Sequence, residues 1–121
     1  MAVEVQPQCF SSLAEAMDEV KKSGMWPTTF VSGPSEGLPV HWHAHDVHAY
    51  VMEGETDFLD VQSGARLAAR KGDRVVIPAG TLHAEGVVKD RVVYLLATPE
   101  PLSSREFLAM RDPSSLAAAQ A

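Results

Sequence analysis

Short runs of apolar and β-branched residues, broken by turn-forming ones, fill the middle of the chain. From Val40 to Thr98 they predict strands over 40–44, 48–53, 56–62, 65–69, 74–77, 82–88 and 91–97. Glu53-Gly54, Gln62-Ser63-Gly64, Lys71-Gly72-Asp73, Pro78-Ala79-Gly80 and Lys89-Asp90 punctuate them as turns. Met25 through Ser32 reads as an earlier strand, and the loop from Gly33 to Pro39 follows it. Val3 and Val5 alternate with polar neighbours, as in a short edge strand. Regular short strands of this kind predict an antiparallel sandwich or barrel.

The period becomes helical at both ends. Ser12-Leu13-Ala14-Glu15 has the form of a capping box, and Leu13, Ala16, Met17 and Val20 follow at helical spacing. Lys21 and Lys22 suit a last turn and Gly24 a stop, so a helix is expected over 13–23, covering one end of the core. Ser103-Ser104-Arg105-Glu106 is a second capping box, continued through Phe107, Leu108, Met110 and Arg111 to Asp112-Pro113. The remainder, 114–121, is of low complexity and reads as a frayed helix or a disordered tail.

A length of 121 residues leaves room for a single domain, 1–121, with its barrel core at about 26–98 and a C-terminal helix and tail over 103–121. Hydrophobic residues at 45% suffice for one core. A net charge of −6 argues against nucleic acid as a partner and against acidic membrane surfaces. No apolar run approaches the roughly 18 residues of a membrane span, and the N-terminus lacks a signal-like pattern, so a cytoplasmic protein is expected. Cys9, the only cysteine, excludes an intramolecular disulfide and a thiolate-rich zinc site.

Candidate chemistry lies in the histidines. His41, His43, His45 and His48 fall within one short stretch, and His83 ends a second patterned segment, Gly72 to His83. Imidazole is the commonest protein metal ligand and suits zinc, iron, copper and nickel. Residues two apart on a strand share a face, so His41 and His43 can project together into a barrel where another strand brings His83 alongside. Glu85 shares parity with His83 and is a candidate acceptor for a ligand imidazole or a general base; its plain alternative is a surface charge. Trp42 should point the other way, and Tyr50, Met52 and Phe58 are core residues that also suit a pocket wall.

The two segments resemble the motifs of the cupin superfamily. The second motif, G-x5-P-x-G-x2-H-x3-N, is met by Gly72, Pro78, Gly80 and His83, with Val87 in place of the final Asn. The first, G-x5-H-x-H-x(3,4)-E-x6-G, fits with His41 and His43 as its pair and Gly54 as its last glycine. Ser35 stands at the leading glycine and Val47 at the glutamate, so the resemblance is to a cupin without its usual carboxylate ligand.

That resemblance implies an all-β double-stranded β-helix, a jelly-roll-like barrel, with short N-terminal and C-terminal helices. It also implies one divalent ion per chain (Fe, Zn, Ni, Mn or Cu, with Fe or Zn foremost) on His41, His43 and His83. His48 lies at the longer of the family's two intervals after His43 and is the candidate fourth ligand and a candidate catalytic residue beside Glu85. His45 shares the pair's parity but stands where a turn begins. An all-histidine shell keeps the ion's full charge and makes it a strong Lewis acid. The expected activity is a dioxygenase acting on a small enol- or diketone-like molecule. A non-redox cyclase, isomerase or lyase is the alternative, and a non-enzymatic small-molecule-binding module the competing class. A homodimer is expected, because related barrels pair through their edge strands, with the N-terminal segment as the candidate contact.

Overall fold

The turn signals delimit the strands. A computed structural model describes residues 2–107 and 109–116. In it β1 (Glu4–Gln6) is followed by α1 (Leu13–Lys22) and then by β2 (Trp26–Ser32), β3 (Val47–Glu53), β4 (Glu55–Asp60) and β5 (Ala65–Arg70). Next come β6 (Arg74–Ile77), β7 (His83–Glu85), β8 (Val92–Thr98), the short helix α2 (Ser104–Phe107) and a 3₁₀ turn at Pro113–Ser115. Pairing is antiparallel throughout, in a five-stranded sheet of order β1-β6-β3-β8-β2 and a three-stranded sheet of order β5-β4-β7. The two face each other as a jelly-roll-like barrel.

β3 is the strand on which both cores rest. Val47, Ala49 and Val51 turn inward and pack with Phe58, Val75, Val92 and Tyr94 between the sheets. The alternate residue Tyr50 turns outward with Leu95 and Ala97, into a second core that Ala16 and Val20 of α1 close. Both faces of β3 are therefore dry, which explains why Tyr50 and Val51 are fully buried next to each other. Burying a side chain such as Val51 or Val75 completely stabilises the fold by roughly 1.5–3 kcal/mol.

The N-terminal segment is tied down by two buried carboxylates. Asp73 accepts hydrogen bonds from the backbone and side-chain nitrogens of Gln8 and from the backbone of Arg70. Asp60 accepts from Val3 N and from Ser63. Burial alone would raise both pKa values, but these donors hold both carboxyls below the ordinary range. The helix α1 starts at the Ser12 cap, with Glu15 N donating to Ser12 Oγ, while the Glu15 carboxylate reaches one residue further back and accepts from Ser11 N and Oγ.

Three expected elements differ. The strand expected over 82–88 shortens to β7, with Val88 left in an isolated bridge to Ser35. Residues 40–44 form no strand; His41 and Trp42 instead make isolated bridges, to His83 on one side and Arg111 on the other. The expected C-terminal helix stops at Phe107, although Ser103 and Glu106 do make the reciprocal cap. Met110 and Arg111 are extended because Trp42 offers Arg111 a pair of backbone hydrogen bonds in place of another helical turn. Leu108 and residues 117–121, part of the expected helix and tail, lie outside the described residues. Among the described residues, no helix is long and apolar enough to cross a membrane.

Gly54, in the turn between β3 and β4, has φ +84°, and a Cβ there would stand 2.2 Å from the carbonyl oxygen of Arg91. Only glycine fits both constraints. Gly54→Ala should destabilise the protein by roughly 2–5 kcal/mol, combining the left-handed backbone penalty with overpacking. Thermal denaturation will check it: an unchanged melting temperature would mean that the turn is not rigid.

Candidate metal centre

The loop from Gly33 to Pro39 delivers the chain to the barrel wall at His41, which docks on β7. His41 N donates to His83 O and His83 N donates to His41 O, at 2.9 and 3.0 Å, so the two residues form a hydrogen-bonded antiparallel pair. Gly80 N donates to His43 O at 2.9 Å, which fixes the turn leading into His83. These backbone bonds bring three imidazoles together. Ring centroids lie 4.4 Å apart for His41 and His83, 5.0 Å for His41 and His43, and 5.3 Å for His43 and His83.

The rings are also oriented. His41 Nδ1 donates to Pro39 O at 2.7 Å, His83 Nδ1 to Thr81 O at 2.8 Å and His43 Nδ1 to Ala109 O at 2.9 Å. A carbonyl only accepts, so each Nδ1 carries the proton and each neutral ring presents the Nε2 lone pair. Glu85, two residues after His83 on β7, turns its carboxylate to the same point. Its Oε2 is 3.3 Å from His41 Nε2 and its Oε1 is 3.8 Å from His83 Nε2. One donor atom from each of His41, His43, His83 and Glu85 lies within 4.8 Å of the others. Three of these buried atoms, His41 Nε2, His83 Nε2 and Glu85 Oε2, have no hydrogen-bond partner. Lone pairs and a carboxylate aimed at one another repel unless a proton or a cation stands among them. The donor set fits a divalent ion that accepts imidazole and carboxylate together.

Burial and mutual repulsion govern the charges. Burial, with the neighbouring His83 and His41, pushes His43 down to about 4. Burial also lowers His83. Burial opposes the charged form of His41 too, but the Glu85 carboxylate beside it holds its pKa above the ordinary value. Burial works against the Glu85 charge, yet His41 and His83 hold its carboxyl below the usual range, so it is ionised at neutral pH.

The cluster forms one wall of a cavity of about 250 Å³ between the sheets. Phe30, Phe58, Ile77, Leu96 and Met110 are among its apolar walls, and Tyr94, stacked on Phe30 at 6.4 Å, presents a phenol that burial keeps protonated. No lysine or arginine is among the lining residues. A larger open groove, about 1010 Å³, runs past Gly54, Arg70 and Lys89 and holds no histidine.

Other candidate residues lie elsewhere. His48 shares the outer face of β3 with Tyr50, in line with Val76 and Ala97, and does not join the cluster. The register irregularity of β3 falls between Val51 and Glu53, too far along to turn His48 inward, so Val47 faces the cavity instead. His45 stands in the bend, 5.9 Å from the His43 ring, and stays outside the cluster as well. Glu85 turns a carboxylate into the cluster, where motif spacing had suggested imidazoles alone. Parity with His83 was the available signal; nothing in the sequence signalled the Ala109 carbonyl. Trp42 faces away and donates from Nε1 to Asp112 O. Phe58 lines the cavity, whereas Tyr50 and Met52 pack under α1. Cys9 is exposed, and burial of its thiol raises its pKa.

In the unfolded chain His43 takes up a proton near its ordinary 6.5, whereas the folded protein resists until about 4. The unfolded state then binds the extra proton, so folding stability falls as pH drops between these values. This residue alone accounts for a loss of about 3 kcal/mol at most. Denaturation of metal-free protein at pH 7 and pH 5 will measure it, with His43→Gln as the variant in which the dependence weakens.

No family model matches the chain. Among curated proteins, a gentisate 1,2-dioxygenase from a Streptomyces species is 29% identical over 82 residues, 67% of this chain and 23% of that enzyme. The chain thus spans under a quarter of the length of the curated relative it matches. A cupin-2 domain containing protein from Shewanella frigidimarina superposes with a TM-score of 0.53 and 20% identity, over 64% of this chain and 72% of its own. The polyketide cyclase RemF from Streptomyces resistomycificus gives 0.53 and 22%, over 75% and 66%. With two facing antiparallel sheets and a buried histidine cluster, the chain has the cupin fold.

Proposed function

We propose that the chain is a metal-dependent enzyme for a small organic molecule, with one divalent ion held by His41, His43, His83 and Glu85. What carries the reading is the convergence of three Nε2 atoms, each fixed by a proton on Nδ1, upon one partly buried carboxylate. A divalent ion bound there supplies a Lewis acid for substrate oxygens and, as Fe(II), the electrons for dioxygen chemistry. The chain's own residues do the rest. Glu85 lowers the charge of the site by one, so an enol or dihydroxy ligand that gives up one proton leaves it neutral. Glu85 stays ionised in that balance, so the ligand's proton leaves to solvent. Phe30, Phe58 and Leu96 exclude water and orient the ligand with its oxygens toward the imidazoles.

Cavity size points to the substrate class. An apolar cavity of about 150 Å³ admits benzene, so one of about 250 Å³ suits a single substituted ring or a short diketone. The absence of a lining lysine or arginine suits a ligand whose far end is uncharged. The dioxygenase reading is supported by similarity to the gentisate 1,2-dioxygenase. A non-redox cyclase is the second reading, supported by the fold shared with RemF.

Untagged protein should carry about one metal ion per chain by elemental analysis. His83→Ala and Glu85→Ala should each lower occupancy at least tenfold, while His48→Ala leaves it unchanged. Full occupancy in His83→Ala would overturn the ligand assignment. Oxygen uptake by the Fe(II)-loaded protein on a panel of catechols, hydroquinones and 1,3-diketones tests the reaction. Substrate turnover without oxygen uptake would favour the cyclase.

A further inference from the structure

We infer that the segment Ala109–Asp112 is a working part of the metal centre, positioning His43 and closing the cavity over it; this rests on the metal-centre reading above. The reason lies in where each imidazole finds its acceptor. His41 and His83 each donate from Nδ1 to the carbonyl two residues upstream, Pro39 and Thr81. The equivalent carbonyl for His43 is that of His41, which accepts from His83 N across the bridge. His43 Nδ1 turns away from it to an acceptor in another segment. Ala109 O, 66 residues along the chain, fills the place.

The segment is fastened at one point. Trp42 N donates to Arg111 O at 3.2 Å, Arg111 N to Trp42 O at 3.0 Å and Trp42 Nε1 to Asp112 O at 3.0 Å. The Arg111 guanidinium lies over the indole, 5.3 Å from its centroid. Trp42 sits between the two ligands His41 and His43, so the clasp and the ligands share three consecutive residues. Between the two anchored positions, Met110 lines the cavity. Releasing the clasp removes the His43 acceptor and one wall of the cavity together, while both hydrophobic cores stay intact.

Arg111→Pro in the full chain deletes the Arg111 N–H and breaks the clasp. The Kd for Co(II), read from its visible absorption, should rise about 10- to 100-fold, the usual effect of losing a ligand's supporting hydrogen bond. In metal-free protein, two-bond ¹⁵N–¹H spectra should show the His43 ring leaving its single Nδ1–H tautomer while His41 and His83 keep theirs. The melting temperature of the metal-free variant should stay near that of wild type. Arg111→Ala keeps the backbone clasp and should bind Co(II) within about threefold of wild type, allowing a factor of this size for the lost guanidinium contact. Trp42→Phe keeps a buried aromatic ring, loses the indole N–H together with part of the ring volume, and should shift the same readouts in the same direction; it decides the matter should Arg111→Pro not fold. Unchanged Co(II) affinity and an unchanged His43 tautomer in the clasp variants would overturn the inference. Wild-type protein that takes up no Co(II) would instead overturn the metal-centre reading, and the tautomer of metal-free His43 would still test the clasp.

Discussion

Everything at this site depends on one reciprocal pair of backbone hydrogen bonds, between His41 and His83. Both residues are almost wholly buried, so each bond is made where water cannot replace it. The pair ties the loop after β2 to the three-stranded sheet and sets two imidazoles on one side of a shared register. It also fixes the face of the intervening residue, because strand alternation sends Trp42 the other way. The cavity, the ligand set and the C-terminal segment all follow from that geometry.

Charge is arranged around the same pair. His43 and His83 resist protonation in a dry site, while the Glu85 carboxylate that enters from β7 favours it at His41. The first motif, with Val47 at its glutamate, leaves that position of the lining apolar. Glu85 is the cross-strand partner of Phe58, so the acidic donor enters beside an apolar wall residue. Val47, Phe58 and Ile77 supply hydrocarbon for the apolar part of a ligand. A carboxylate supplied from the usual position would have put a charge where this chain keeps hydrocarbon.

Much of the fold was legible, because local rules decide it. Glycine turns and period-2 alternation give β4, β5 and β6 nearly at their observed limits, and the Ser12 capping box gives the start of α1. The convergence of His41, His43 and His83 could be anticipated from spacing and parity. His48 stands on the outer face of β3, because the ladder with β6 and β8 does not make the shift in register that motif spacing suggested. Glu85 was seen as a neighbour of the site, and its entry into the donor cluster depends on how far β7 reaches toward His41. The Ala109 carbonyl was invisible, since a backbone acceptor has no residue type and its partner lies 66 positions away. The C-terminal helix was overestimated for a related reason: helix periodicity is local, whereas the competing pairing with Trp42 is not.

β7 is only three residues long, and it carries two of the four donors, His83 and Glu85. A chelate divided in this way does not come apart ligand by ligand. If that short strand lifts from the barrel wall, half of the coordination leaves with it, and the two imidazoles left behind form a weak bidentate site. Were a metal ion held there, its exchange would be governed by the release of β7 from β4 and His41, so its rate would report the local stability of the barrel rather than the strength of any single metal–ligand bond.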